Sequence, residues 1–96
     1  MKLILLLLIC SSCRACDVAS WYATDAPGFV CASYDYPIGA LLKVTEARNG
    51  CWVIVRVIER GPNHRLNRQI DLCPAAFMVL DGLDLGLAPV VIERIK

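Results

Sequence analysis

At 96 residues the chain has room for one domain and no more. Ten Lys and Arg stand against nine Asp and Glu, a formal net charge of +1. That lacks the concentrated positive footprint phosphate binding needs, and excludes a nucleic-acid partner. The 57% hydrophobic content is inflated by the first residues, which are read apart from the domain.

Residues 1–15 have the order of a signal peptide: a positive start at Lys2, an unbroken apolar run over residues 3–9, then Ser11 and Ser12 before a group of cysteines. The run is too short to span a bilayer. Cys13 is a lipidation candidate that fits a lipobox only in part, since Cys10 stands where Leu is usual. A cut between Ala15 and Cys16 suits an ordinary signal peptidase. Either route leaves residues 16–96 as the domain, with Cys16, Cys31, Cys51 and Cys73 as disulfide candidates. Two bridges at about 2–4 kcal/mol each would matter to so small a core. With no Cys-x-x-Cys pair among these four and one His in the chain, a zinc site is not expected.

A first strand is predicted over residues 18–22, ended by Pro27-Gly28. Pro37 and Gly39 precede an alternating strand over residues 41–46. Asn49-Gly50 then reads as a type I′ hairpin turn, because both residues tolerate positive φ. A Val- and Ile-rich strand follows over residues 51–59, and a short one over residues 69–72. Pro74 opens a helix over residues 74–80, with Gly82 closing it. A last strand covers residues 89–95. Many short strands with one late helix predict a small barrel rather than a βαβ sheet.

Four landmarks in this order resemble the RlpA-like double-psi β-barrel family: Ala19-Ser20-Trp21-Tyr22; Pro37-Ile38-Gly39-Ala40 running on to Thr45; Asn49-Gly50 followed by Glu59-Arg60-Gly61-Pro62; and Arg68-Gln69-Ile70-Asp71-Leu72-Cys73-Pro74. The resemblance implies an all-β fold with one short helix, a six-stranded double-psi barrel. It also implies export, either to the periplasm and outer membrane, with a membrane tether if a Cys is lipidated, or to the outside. Some members are lytic transglycosylases that cut peptidoglycan; expansins and barwin-like proteins are more distant relatives. This chain departs from the pattern. Ala23 replaces a Gly, the following loop is shortened, Cys31-Ala32-Ser33 stands where Ala-Ala-His is usual, Glu59 replaces an Asp, and Cys73 replaces a Ser.

The resemblance makes Asp71 the first candidate acid, at the rim of a cleft. Ile70 and Leu72 flank it, and partial burial favours the protonated form a general acid needs. Its alternative, shared with Cys73, is to cap the helix begun at Pro74. Glu59 is the second carboxylate, placed by alternation at the end of the apolar face of residues 51–59; it is either poised at the cleft or paired with Arg60 or Arg68. Asp25 and Asp35, in the shortened loops, are the alternative acids. Arg60, Tyr34, Tyr36 and His64 are the candidate substrate contacts, whereas Trp21 is read as core bulk. The implied activity is cleavage of a peptidoglycan strand with 1,6-anhydromuramic ends. The alternative is an expansin-like module that grips glycan without cutting it. The chain is read as a monomer whose partner is peptidoglycan or a related glycan, with no metal or organic cofactor.

Overall fold

The computed structural model describes residues 17–62 and 67–96. The signal peptide, Cys13, Cys16 and His64 fall outside the described residues. In chain order the elements are β1 (Asp17–Trp21), β2 (Val30–Ser33), β3 (Leu41–Glu46), β4 (Trp52–Glu59), β5 (Ile70–Leu72), α1 (Pro74–Leu80), a 3₁₀ turn (Leu83–Leu85) and β6 (Leu87–Arg94). The six strands close into a barrel in the order β1, β5, β2, β4, β3, β6. The pairs β1 with β5 and β2 with β4 are parallel, and the others antiparallel.

Alternation decides which side chains fill the barrel. Leu42 and Val44 of β3 and Val53, Val55 and Val57 of β4 are buried, while their neighbours on the same strands are more exposed. Phe77, Ala76 and Leu80 of α1 join the same core, with Ala19, Ile70, Leu72 and Val90. Pro at the first helical position suits α1, since its missing N–H is an orphan there anyway. Cys73 is the N-cap residue, with no side-chain cap bond. The capping role considered for Asp71 and Cys73 is therefore not taken up.

The barrel's far end is tied to α1 by charge. Glu46, almost fully buried, accepts hydrogen bonds from the Arg48 backbone N–H and from Arg48 Nε at 3.1 Å. Arg48 Nη2 also reaches Glu46 Oε2 at 3.0 Å and Asp81 Oδ2 at 3.2 Å. Burial alone would raise the Glu46 pKa, but its hydrogen bonds to Asp81 and Arg48 bring it below the usual carboxylate value. Asp81 is raised, chiefly by its hydrogen bond to Glu46.

Three local expectations need correction. Residue 49 does not have the positive φ of a type I′ turn; Gly50 alone has it, at 78°. The hairpin is longer, with Gly50 N–H donating to Glu46 O at 2.9 Å. Asn49 serves through its side chain instead, donating to Leu80 O at 2.9 Å and accepting from Cys51 N–H at 2.8 Å. Likewise Gly82 does not close α1 in a left-handed conformation. Asp81 is the C-cap, and Gly82, at φ −71°, begins the 3₁₀ turn.

The third correction concerns the cysteines. Cys31, Cys51 and Cys73 are free thiols. Cys31 pairs in register with Val57, six residues along β4 from Cys51, which is roughly 20 Å at the rise of a strand. A bridge requires Cα atoms within about 7 Å, so Cys51 reaches neither Cys31 nor its neighbour Cys73. Cys73 Sγ is turned away to the loop before β2, donating to Gly28 O at 3.6 Å and accepting from Val30 N–H at 3.4 Å.

Candidate functional site

Four residues from four adjacent strands stand in one row on the outer face of the barrel. The register pairs Ser20 of β1 with Asp71 of β5, Asp71 with Ala32 of β2, and Ala32 with Glu59 of β4. Asp71 faces outward because β5 is only three residues long and alternates, with Ile70 and Leu72 buried on either side. Ser20, itself buried, donates its hydroxyl hydrogen bond to Asp71 Oδ1. This fixes the carboxyl's orientation, and among the described residues Oδ2 has no hydrogen-bond partner.

Glu59 reaches the row by an irregularity. Along β4 the odd residues Val53, Val55 and Val57 point inward, and strict alternation would bury residue 59 with them. Between Cys31 and Ala32 the pairing slips, however, so that Val57, Ile58 and Glu59 oppose only two residues of β2. That bulge turns Glu59 out to an exposed position. Sequence alternation alone put Glu59 on the apolar face; the bulge corrects this. Glu59 makes no ion pair with Arg60 or Arg68 among the described residues.

The strip between the two carboxylates is packed. Ala32 is 4% exposed, and Gly61 comes so close that a Cβ built there would lie 3.4 Å from the Ala32 Cβ. Glu59 and Asp71 are therefore two strand spacings apart, roughly 10 Å between backbones, with no hydrogen bond between them. No enclosed cavity opens among the described residues.

Tyr22 extends β1 beyond the row, its N–H donating to Leu72 O at 3.0 Å. Its pKa is pushed up to about 12, first by burial and then by the charge of Glu59 nearby. In the sequence Tyr22 and Ser20 stand out only as members of the Ala19-Ser20-Trp21-Tyr22 motif; for Ser20, a hydroxyl on the strand beside an Asp-Leu step is the available signal. Cys31 is pushed up to about 12 as well, by burial and then by Cys73.

Together these two groups give a pH expectation. Both are held neutral in the fold, while the unfolded chain releases their protons near the ordinary values of 9.0 and 10.0. A folded pKa above the unfolded one contributes stability that is complete below the unfolded value and lost as pH rises toward the folded one. The urea midpoint should therefore drop steadily as pH rises from about 9 toward about 12. A Tyr22→Phe, Cys31→Ala double variant should flatten that slope.

The remaining candidates are dispersed. Arg60 Nη1 donates to Tyr36 O at 2.8 Å and to Ser33 O at 3.4 Å, so it braces the loop after β2. Ser33, where the family pattern has His, is buried and accepts from Asp35 N–H at 3.1 Å; it shapes a turn. Tyr36 packs partly against the core, whereas Tyr34 is exposed. Asp35 lies near Asp17, whose pKa is raised by burial and then by that charge, and Asp25 is exposed on its loop. Trp21 is less buried than expected, 37% exposed with Nε1 donating to Leu83 O at 2.9 Å.

Comparisons with known proteins agree with this architecture. No family model matches the chain. Among curated relatives, the chain is 44% identical over 71 residues to the endolytic peptidoglycan transglycosylase RlpA of Neisseria meningitidis, covering 74% of this chain and 29% of that protein. It is 38% identical over 76 residues to a probable RlpA of Treponema pallidum, covering 79% and 24%. The Pseudomonas aeruginosa RlpA is 36% identical over 95 residues, covering 85% and 28%. The chain thus spans about a quarter to a third of the length of these relatives. Among solved structures, a Clavibacter michiganensis expansin in complex with cellohexaose superposes with a TM-score of 0.70 at 17% identity, covering 84% of this chain and 50% of the other. Cerato-platanin 3 of M. perniciosa gives 0.61 at 17% identity, covering 75% and 63%. At these identities the two structures speak for the fold alone. Barrel closure, strand order and the sequence relatives lead to one conclusion: the chain belongs to the RlpA-like double-psi β-barrel family.

Proposed function

We propose that this domain cleaves peptidoglycan strands as a lytic transglycosylase, with Asp71 as the acid. The observation that carries the reading is the row itself, where an outward carboxyl is oriented by a buried Ser20 hydroxyl and has one oxygen left over. The relatives named as endolytic peptidoglycan transglycosylases support it.

In the reaction Asp71, protonated, gives its proton to the glycosidic oxygen as the C1–O bond breaks and an oxocarbenium-like centre develops at C1. The substrate's own C6 hydroxyl attacks C1, and the Asp71 carboxylate takes that hydroxyl's proton. The products are a 1,6-anhydro end and a free 4-hydroxyl, and Asp71 returns to its acid form. Because the nucleophile belongs to the substrate, one carboxyl suffices. The packed strip between Asp71 and Glu59 is then no obstacle, and Glu59 has the role of stabilising developing positive charge or holding a sugar hydroxyl. Arg60, by bracing the loop carbonyls, positions Tyr34 and Tyr36 rather than gripping substrate itself. An exported, monomeric protein, either cut after Ala15 or cut before a lipidated Cys13 and tethered through it, fits a wall substrate.

Digestion of purified sacculi by the protein should release anhydromuropeptides detectable by mass spectrometry. Binding without any such ends would favour a second reading, an expansin-like module. The shortened loop after Ala23 and Cys31-Ala32-Ser33 in place of the family's Ala-Ala-His are what speak for that second reading.

A further inference from the structure

The outer face of β4 continues past Glu59 down the length of the strand. Its outward residues are Arg56, Ile54 and Trp52, the last two 38% and 53% exposed. β3 lies beside it in register, Leu41 against Arg56, Lys43 against Ile54 and Thr45 against Trp52. β6 adds Glu93 beside Lys43 and Val91 beside Thr45. The face therefore interleaves apolar side chains with charged and hydroxyl groups, residue by residue.

Two of its members are held in place. Lys43 Nζ lies 4.8 Å from the centroid of the Trp52 ring, a cation–π contact that steadies an otherwise exposed indole. Arg56 Nη1 donates to Gly39 O at 3.4 Å. On the other side of β4, Arg56 N–H donates to the carbonyl of Phe29, a second aromatic, 45% exposed.

We propose that this track, Trp52, Ile54 and Arg56 with Lys43 alongside, is a distal binding surface for the same glycan strand whose scissile bond lies at Asp71. This rests on the reading above. The eight residues of β4 cover roughly 23 Å, enough for several sugar units laid along the strand and leading up to the carboxylate row. A pyranose presents an apolar C–H face and a rim of hydroxyls, and the track presents a ring, aliphatic patches and polar groups at matching short intervals. Lys43 and Arg56 put two cations along the middle of the track, with Glu93 beside Lys43 and Glu59 at the end of the strand, and complement the carboxylates that bacterial wall glycan carries. A lipid surface would be met by a continuous apolar band, whereas here no outward row across β4, β3 and β6 is free of a charged or hydroxyl group.

The test is co-sedimentation with purified sacculi, with anionic phosphatidylglycerol vesicles in parallel. Trp52→Ala should weaken sacculus binding by about tenfold, Trp52→Tyr should restore most of it, and Lys43→Glu with Arg56→Glu should act in the same direction as Trp52→Ala. Release of anhydromuropeptides at saturating sacculi should stay within about twofold, separating binding from the acid step. Equal sacculus binding by wild type and Trp52→Ala overturns the track and leaves the glycan reading standing. Binding of vesicles that depends on Trp52, with sacculus binding unaffected, overturns it in favour of lipid. Wild type that does not bind sacculi at all overturns the glycan reading itself, and the track with it.

Discussion

Replacing Asp71 with Asn should lower anhydromuropeptide release by about 10²- to 10⁴-fold, the range general acid catalysis supplies. Asn keeps an acceptor oxygen for the Ser20 hydroxyl, so the strand pairing and the melting temperature should be nearly unchanged. What is lost is the exchangeable proton. Glu59→Gln should cost far less, because Glu59 lies across the packed Ala32 and Gly61 strip rather than against the same bond. Mass spectrometry of sacculus digests, with calorimetry on each variant, reads both effects. If Asp71→Asn releases ends at the wild-type rate, Asp71 is not the acid, whatever the enzyme class.

The second large effect is on stability. Phe77 is fully buried and is the largest side chain that α1 contributes to the barrel core. Truncating such a Phe to Ala costs about 3–5 kcal/mol, in a domain whose size gives it only a few kcal/mol to lose. With no bridge among Cys31, Cys51 and Cys73, nothing covalent in the described residues offsets that loss. Phe77→Ala should therefore be largely unfolded at about 37 °C, since each kcal/mol moves the midpoint by about 4–8 °C at this size. Met78, its neighbour, is 62% exposed, and Met78→Ala should change stability by no more than about 0.5 kcal/mol. Near-ultraviolet circular dichroism against temperature distinguishes the pair. A folded Phe77→Ala with an ordinary transition would show that the helix is not what closes the barrel.

Much of this was legible in the residues. The helix falls on residues 74–80 as read, because Pro at its start and helix formers behind it are strong local signals. β3 also falls as read, because one of its faces is buried and the other is not. β2 carried no such pattern. All four of its residues, Val30, Cys31, Ala32 and Ser33, are buried, since β2 is flanked by β4 and β5 and covered on both faces, so no alternation survives to be seen. Of the site, Asp71 and Glu59 could be named from the family motifs, but not their relation to each other. That relation depends on which strands become neighbours and on a one-residue slip in register, and both are tertiary facts. The free thiols are unreadable for a similar reason: four cysteines in sequence suggest pairing, and only the folded strand shows Cys51 far from Cys31 and Cys73.

The strand order also bears on how the chain must be made. β1 is gripped on one side by β5 and on the other by β6, so the earliest element is seated by the two latest. A polypeptide delivered amino end first has no finished cylinder to close until residues 87–94 have arrived, and most of its strand pairings span long stretches of chain. Such topologies fold slowly. A ribosome that makes this domain therefore handles it as a loose thread until β6 has emerged.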